Sequence, residues 1–263
     1  MTETIINFTS IPPRIGRLQQ VVDTLRAQTA KIDAIILWIP KNYRRSDFDH
    51  YSISDLPSGV EVRYCEEDYG PATKILPACK AFAGQDVQLI YCDDDELYFP
   101  EWASTLLRGS EEYPNSCIAI NGLSIASVDY EYQTRRGGHK LLNAMTLGFY
   151  GRHYSRRHRP ARPGIGPVDI CQGFGGVLVR PHFFGAEVYK IPDILWTVDD
   201  VWLSGHLATR GVPIHRASAH KLCGKSDLAR VHDLTSYSYE NHDRVTADHK
   251  CVEYYRQKYG ISS

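Results

Sequence analysis

Three consecutive carboxylates, Asp93, Asp94 and Asp95, directly follow a run of strand-forming residues at positions 87–92. Ligands of open α/β sheets gather outside the carboxyl ends of the strands, so acids at this position are well placed for binding. Neighbouring carboxylates repel one another unless a cation lies between them, and their hard oxygen atoms suit Mg²⁺ or Mn²⁺. Because Mg²⁺ usually also binds substrate phosphates, this acidic triplet predicts a metal-dependent site for a phosphate ester or a nucleotide-sugar.

The acidic triplet could instead be structural, since Asp is common in turns and at helix starts. The next predicted helix begins near Pro100, which is too far along the chain for any of the three acids to cap it. A capping role is therefore the weaker interpretation, and the remaining sequence has to decide between a turn and a ligand site.

A second acidic pair, Asp199 and Asp200, begins a segment whose apolar residues at 201, 203, 207 and 208 predict a helix ending near Gly211. Acids in a first helical turn oppose the helix dipole, and Thr197 is a candidate cap, so a structural role would explain them. A helix start that faces a cleft can also present a carboxylate base to a hydroxyl group. Both interpretations remain open at this point.

Strand-like and helical segments alternate through the first half of the chain, which predicts a mainly parallel sheet covered by helices. The predicted strands are residues 4–8, 34–39, 60–64, 87–92 and 117–121, and the predicted helices are 18–27 and 73–83. Regularity fails from about residue 127 to residue 167. This irregular stretch contains a basic run, 152–162, which is either a solvated loop or a contact for phosphate-bearing ligands.

Glycines interrupt the next apolar region: Gly173, Gly175 and Gly176 lie between apolar segments at 168–171 and 177–181. Glycines let backbone amides approach a ligand closely, although close packing or a β-bulge would explain them equally well. The pattern by itself favours neither interpretation.

The composition of the chain limits the classes of protein to which it can belong. The 263 residues carry a net charge of -1, which gives no general attraction to nucleic acid, and their length suits one large domain or two small ones. The seven cysteines are scattered without a C-x-x-C pair, so we expect free thiols, no zinc site and no disulfides. The sequence has no long apolar run, and Met1 is close to a predicted strand, so we expect a cytoplasmic protein. We also expect that the basic run could bring it into peripheral contact with the inner face of a membrane.

Four blocks together resemble the glycosyltransferases of the GT-A fold, in the family-2-like group, over about residues 4–215. The blocks are Thr9-Ser10-Ile11-Pro12-Pro13-Arg14, Tyr69-Gly70-Pro71-Ala72-Thr73-Lys74, the acidic triplet continuing to Trp102, and Gly173-Phe174-Gly175-Gly176 followed by Asp199-Asp200-Val201-Trp202-Leu203. The resemblance implies a Rossmann-like α/β fold with a mainly parallel sheet flanked by helices in a single domain, 1–263. Within it we expect a nucleotide-sugar-binding half (about 1–115), an acceptor and catalytic half (about 116–225) and a C-terminal helical tail (about 226–263).

The resemblance also implies a role for each site residue. Metal-binding is expected of Asp95 and Asp93, with His220 preferred over His215 and His232 as a further ligand, and the metal is expected to be Mn²⁺ or Mg²⁺. Asp200 matches the catalytic base of inverting members, and Asp199 stands where the family usually has Glu, which leaves its contact undecided. Donor-binding roles fall on Ser10, Arg14, Lys74, Asp93, Asp94, Gly175 and Gly176.

The implied reaction moves a sugar from a nucleotide-diphosphate sugar to a hydroxyl of a glycan or lipid-linked glycan acceptor. Two alternatives stay open. A non-catalytic nucleotide- or glycan-binding module could keep the fold without the chemistry. A Mg²⁺-dependent phosphatase of the haloacid-dehalogenase type also places Asp-x-Asp after a parallel strand, but normally after the first one.

Overall fold

The acidic triplet follows a central strand of an eight-stranded sheet. The structure is a computed structural model that describes residues 2–53, 55–136, 166–217, 223–232, 237 and 242–261. In chain order the strands are β1 Glu3–Thr9, β2 Ala34–Pro40, β3 Glu61–Cys65, β4 Val87–Tyr91, β5 Glu96–Leu97, β6 Cys117–Leu123, β7 Gly166–Pro167, β8 Ile170–Val179, β9 Ile214–Arg216 and β10 Gly224–Lys225.

The main sheet has the order β3-β2-β1-β4-β8-β6-β9-β7, and β5 and β10 form a separate two-stranded sheet. Four strand pairs of the main sheet are parallel, and the three antiparallel pairs are β8 with β4, β8 with β6 and β7 with β9. The prediction of an α/β fold with a mainly parallel sheet is confirmed. The parallel register of β1 and β4, with Asn7 beside Tyr91, brings the residues after both strands to the same edge.

Helices cover both faces of the sheet. They are α1 Pro12–Ile15, α2 Gln19–Arg26, α3 Leu76–Ala81, α4 Trp102–Glu112, α5 Ile125–Arg136, α6 Asp199–Thr209 and α7 Arg244–Tyr259. Successive strand residues such as Ile5 and Ile6 are both buried but belong to different core clusters, because neighbouring side chains point to opposite faces. Helices α6 and α7 pack on one face, and α2 and α4 pack on the other.

Three expectations differ from the structure. Residues 125–136 are helical, whereas the sequence predicted irregular structure from about residue 127; this helix has a weak apolar period, with Val128 its most buried residue. The two predicted segments around the glycines are one strand, β8. Helix α6 begins after Val198, and within the described residues no side chain caps it, so the proposed Thr197 cap is wrong. The basic run at 152–162 and His220 lie outside the described residues.

The expectation of free thiols is confirmed, since all seven cysteines are free. Among the helices that the structure describes, none combines the length and the apolar character required to cross a bilayer.

Candidate active site

The acidic triplet and the acidic pair line one cleft of about 620 Å³ at the carboxyl ends of β1 and β4. Its polar lining includes side chains from six parts of the chain: Ser10, Arg14, Lys74, the acidic triplet, the acidic pair, Lys225, Arg244 and Asp248. Two sets of acids that lie about a hundred residues apart in sequence therefore share one concave surface. Such convergence of titratable groups in a cleft is typical of an active site.

Asp94 is bound by two residues that follow β1. Ser10 Oγ donates a hydrogen bond to Asp94 Oδ2 at 2.5 Å, and Arg14 Nη1 lies 2.6 Å from Oδ1. Continuing the parallel register of β1 and β4 by three residues places Ser10 beside Asp94, so the backbone pairing sets this contact. Burial still raises the pKa of Asp94, against the lowering effect of Arg14. The predicted donor-binding residues Ser10, Arg14 and Asp94 are thus brought together.

Asp93 is bound by the buried amino group of Lys74. The Lys74 Nζ lies 2.5 Å from Asp93 Oδ1 and 2.7 Å from Asp199 Oδ2, so one ammonium pairs with an acid from each motif. Burial acts to raise the pKa of Asp93, but the charge and hydrogen bond of Lys74, together with the charges of Arg244 and Lys225, outweigh burial and lower the pKa. For Lys74, burial acts to lower the pKa, and the two carboxylates raise it well above its usual range.

Asp95 carries the least compensated charge of the acidic triplet. Its Oδ2 lies 3.6 Å from Arg14 Nη1, and the Arg14 guanidinium is already engaged by Asp94 and by the Val231 carbonyl. Burial, followed by the negative charges of Asp94 and Asp93, raises the pKa of Asp95 to about 6. A buried carboxylate surrounded by like charges is the environment in which a divalent cation would be favourable, so the donor set fits Mg²⁺ or Mn²⁺.

The candidate histidine ligands fall in different places. His232 lines the cleft, and its ring lies edge-on to Phe48 at 5.9 Å. His215 is on β9, where it stacks on Tyr113 at 4.1 Å between ring centroids. His220 cannot be compared with them because it lies outside the described residues.

A further group, Asp129, His249 and Glu253, has its ligand atoms within 4.8 Å of one another. Arg256 binds both acids of this group, at 2.6 Å from Asp129 Oδ2 and 2.6 Å from Glu253 Oε1. The guanidinium already supplies the positive charge that a metal would bring. We therefore interpret this group as an ion-pair network joining α5 to α7.

The second motif orients Asp200 toward the cleft. The backbone N–H of Gly173 donates to Asp200 Oδ1 at 2.8 Å, and Arg244 Nη2 lies 3.8 Å from Oδ2. Burial and then the adjacent charge of Asp199 raise the pKa of Asp200 well above the usual range of a carboxyl group. A carboxylate with a raised pKa and a fixed orientation has the properties of a general base.

The glycines of β8 are explained by packing. A Cβ at Gly173 would lie closer than 3.0 Å to Lys74 Nζ, and one at Gly176 would lie closer than 3.0 Å to the Trp102 ring. Trp102 Nε1 donates to the Gly175 carbonyl at 2.7 Å. Gly175 and Gly176 are not among the described residues that line the cleft, so their donor-binding role stays a prediction.

Two side chains of the C-terminal helix that line the cleft were not predicted from the sequence. Arg244 and Asp248 extend from the first turns of α7 into the cleft, and their spacing of four residues places them on one helix face. Burial raises the pKa of Asp248 to about 7, against the effect of Arg244. The i, i+4 pair is a signal in the sequence, but it does not reveal that this helix packs beside α6.

Lys225 was missed as well. It lies on the short strand β10, lines the cleft and pairs with Glu96 on β5, whose pKa burial raises to about 7. The antiparallel pairing of β10 with β5 brings Lys225 beside the acidic triplet.

Comparisons with known proteins find no matching family model and no matching curated protein. Among solved structures, the crystal structure of S. aureus TarS 1-349 is similar over 87% of this chain and 61% of that chain, with a TM-score of 0.46 and 9% identity. The chain thus spans less than two thirds of the length of that structure. At this identity and TM-score the likeness leaves the chemistry to be inferred from the cleft itself.

Proposed function

We propose that the protein is a metal-dependent glycosyltransferase that moves a sugar from a nucleotide-diphosphate sugar to a hydroxyl of a glycan or lipid-linked glycan. The observation that carries the proposal is the convergence of the acidic triplet and the acidic pair on one cleft at the carboxyl ends of β1 and β4. The spacing of these motifs also resembles that of GT-A glycosyltransferases. The cleft volume suits a nucleotide-sized ligand, because small-molecule sites usually measure about 300–1,000 Å³.

Asp95 and Asp93 would hold the divalent cation, with His220 as a candidate third ligand that lies outside the described residues. When bound, Mn²⁺ or Mg²⁺ would act as a Lewis acid that stabilises the negative charge developing on the diphosphate leaving group. The chain supplies further positive charge from Arg14 and Lys225, which line the same part of the cleft.

Asp200 would act as the base. As the acceptor oxygen forms its bond to the anomeric carbon, its proton passes to the Asp200 carboxylate and the bond from that carbon to the phosphate oxygen breaks. The leaving group is a nucleoside diphosphate, and a single in-line displacement inverts the anomeric centre. The hydrogen bond from Gly173 orients Oδ1, which leaves Oδ2 to receive the proton.

The two ends of the cleft differ in ways that suit a donor and an acceptor. Tyr43 and Phe48 give the end beside β1 an aromatic wall suited to a nucleobase. Val128, Val245 and Asp248 give the end between α5 and α7 a mixture of apolar and polar groups, which suits the faces and hydroxyls of a sugar. A cytoplasmic location and peripheral membrane contact remain predictions.

A non-catalytic binding module is the second candidate, because Asp93 and Asp94 are already paired with Lys74 and Arg14. A phosphatase is less well supported, since β1 ends at Thr9 and is followed by Ser10 and Ile11, where a haloacid-dehalogenase-type enzyme normally has its first Asp.

Release of nucleoside diphosphate from a panel of nucleotide-sugars separates these candidates. The reactions are run with Mn²⁺ and with chelator, on the wild type and on Asp200→Asn. A glycosyltransferase releases diphosphate with metal and loses this activity in Asp200→Asn. Binding without release in the wild type would instead identify a binding module.

A further inference from the structure

The side chain of Lys74 borders the cleft but is almost inaccessible to solvent. It is 4% exposed, and Nζ contacts Asp93 Oδ1 at 2.5 Å and Asp199 Oδ2 at 2.7 Å. The Tyr91 ring lies on another side, with its centroid 5.7 Å from Nζ. The two carboxylates belong to different elements, because Asp93 follows β4 and Asp199 begins α6. Lys74 therefore bridges the sheet edge and the helix start.

Gly173 of β8 lies close to the same ammonium. A Cβ at this position would lie closer than 3.0 Å to Lys74 Nζ and 3.3 Å from Asp200 Oδ1. The same residue donates its backbone N–H to Asp200. Two of the three donors of the ammonium are already paired with carboxylates, so a phosphate oxygen would have to compete with these ion pairs.

We propose that Lys74 is a positioning residue that joins the two acidic motifs, and that it does not bind the donor phosphates. By holding Asp93 and Asp199 on one ammonium, Lys74 fixes the distance between the metal-binding end of the cleft and the base Asp200. The inference rests on the proposed function, because the reaction that Lys74 serves is the proposed sugar transfer. It departs from the donor-binding role that the family resemblance implies.

A double-mutant cycle on unfolding tests the bridge without any ligand. The melting temperatures of Lys74→Met, Asp199→Asn and the double variant are compared with the wild type. We expect the double variant to lose clearly less than the sum of the two single losses, because Lys74→Met leaves the buried Asp199 carboxylate without its ammonium partner, and Asp199→Asn leaves Lys74 with one carboxylate in place of two. Additive losses would overturn the bridge.

The matched control is the exposed ion pair between Lys41 and Glu66, whose side chains are 52% and 79% exposed. The cycle of Lys41→Met and Glu66→Gln is expected to be additive, since exposed pairs contribute little to stability. If the control cycle shows coupling as large as the cycle at Lys74, the coupling is not specific to a buried ion pair. That result would count against the proposed bridge.

Kinetics test the positioning role. For Lys74→Met, assayed well below its melting temperature, we expect kcat to fall by at least about tenfold while the donor KM changes by less than about threefold. A phosphate ligand would instead raise the KM and weaken binding of UDP with Mg²⁺ by at least about tenfold. A role in folding alone would leave kcat of the folded protein unchanged. Either of these two results would overturn the proposal.

If Lys74→Met does not fold, the double variant Lys74→Met/Asp199→Asn replaces it, because both buried charges are then removed together. Its affinity for UDP with Mg²⁺ should stay within about threefold of wild type, whereas loss of a phosphate ligand would lower it by at least about tenfold. Failure of the wild type to bind UDP or GDP with metal would defeat the proposed function, while the unfolding cycle would still decide whether Lys74 bridges the motifs.

Discussion

The Asp200 carboxylate accepts a hydrogen bond at Oδ1 from the backbone N–H of Gly173, at 2.8 Å. This contact links the first turn of α6 to β8, at a glycine whose Cβ would lie closer than 3.0 Å to Lys74 Nζ. The carboxylate is therefore oriented by backbone, while Oδ2 faces Arg244 at 3.8 Å. An asparagine at position 200 can accept the same hydrogen bond, which allows chemistry to be separated from structure.

We predict that Asp200→Asn abolishes the base and preserves the fold. Turnover should fall by about 10²–10⁴-fold, because proton transfer by a positioned base contributes about that much. Melting temperature and metal-dependent nucleotide affinity should stay close to the wild type. The control is Asp193→Asn, whose side chain is 71% exposed. Near-wild-type turnover in Asp200→Asn would place the base elsewhere and remove the support for inversion.

Asp199→Asn should behave in the opposite way. Its carboxylate is buried against Lys74, so the substitution weakens a buried ion pair and should lower the free energy of unfolding by about 1–3 kcal/mol. Turnover should fall less than in Asp200→Asn, because Asp199 orients neighbouring groups and does not take the proton. Urea unfolding and turnover measured on both variants check this order. A larger kinetic loss in Asp199→Asn would exchange the two roles.

Asp95→Ala is expected to remove metal-dependent nucleotide binding. Because a carboxylate ligand of the metal is lost, the affinity for UDP or GDP with Mn²⁺ should fall by at least about tenfold. The affinity measured in chelator should not change, because no metal is bound there. Calorimetry on wild type and variant, each with metal and with chelator, measures this. Asp86→Ala is the control, since that side chain is 77% exposed. Equal affinities in all four conditions would contradict the metal site.

The strands near the N-terminus were predictable because both faces of the sheet are covered. Strand β2 appears in the sequence as a continuous apolar run, and β1 and β4 combine apolar residues with polar ones such as Asn7 and Gln88. The position of the acidic triplet at the edge of the sheet was predictable for the same reason, since the triplet directly follows the apolar residues of β4. Its neighbours could also be inferred, because parallel strands bring their carboxyl ends to one edge.

Residues brought in by tertiary packing were not predictable from local sequence. Arg244 and Asp248 reach the cleft only because α7 packs beside α6, where Tyr255 Oη donates to the Trp202 carbonyl at 2.8 Å. Helix α5 was missed because ion pairs such as Asp129 with Arg256 hold it to α7, and these leave no apolar period. The bridge made by Lys74 likewise depends on two elements far apart in sequence.

Gly176→Ala is predicted to destabilise the protein more than Gly84→Ala. Both glycines have positive φ, at +93° and +76°, so the substitution strains the backbone in each case. A Cβ at Gly176 would also collide with Trp102, whereas one at Gly84 would meet nothing within 4 Å. The difference in unfolding free energy should be about 1–3 kcal/mol, the usual effect of overpacking. Equal losses in urea unfolding would show that the contact with Trp102 is not restrictive.

Removal of Arg244 should move the acid limb of the pH–rate profile to higher pH. The base acts only when deprotonated, so activity is present above the pKa of Asp200 and is lost as the pH falls through it. Burial raises that pKa, and the positive charge of Arg244 opposes the increase. Arg244→Met should therefore raise the pKa further and shift the acid limb of kcat/KM to higher pH. Arg256→Met is the control on the same helix, because Arg256 binds Asp129 outside the cleft and its loss should leave the limb in place. An unshifted limb in Arg244→Met, or an equal shift in both variants, would show that Arg244 does not act on the charge of Asp200.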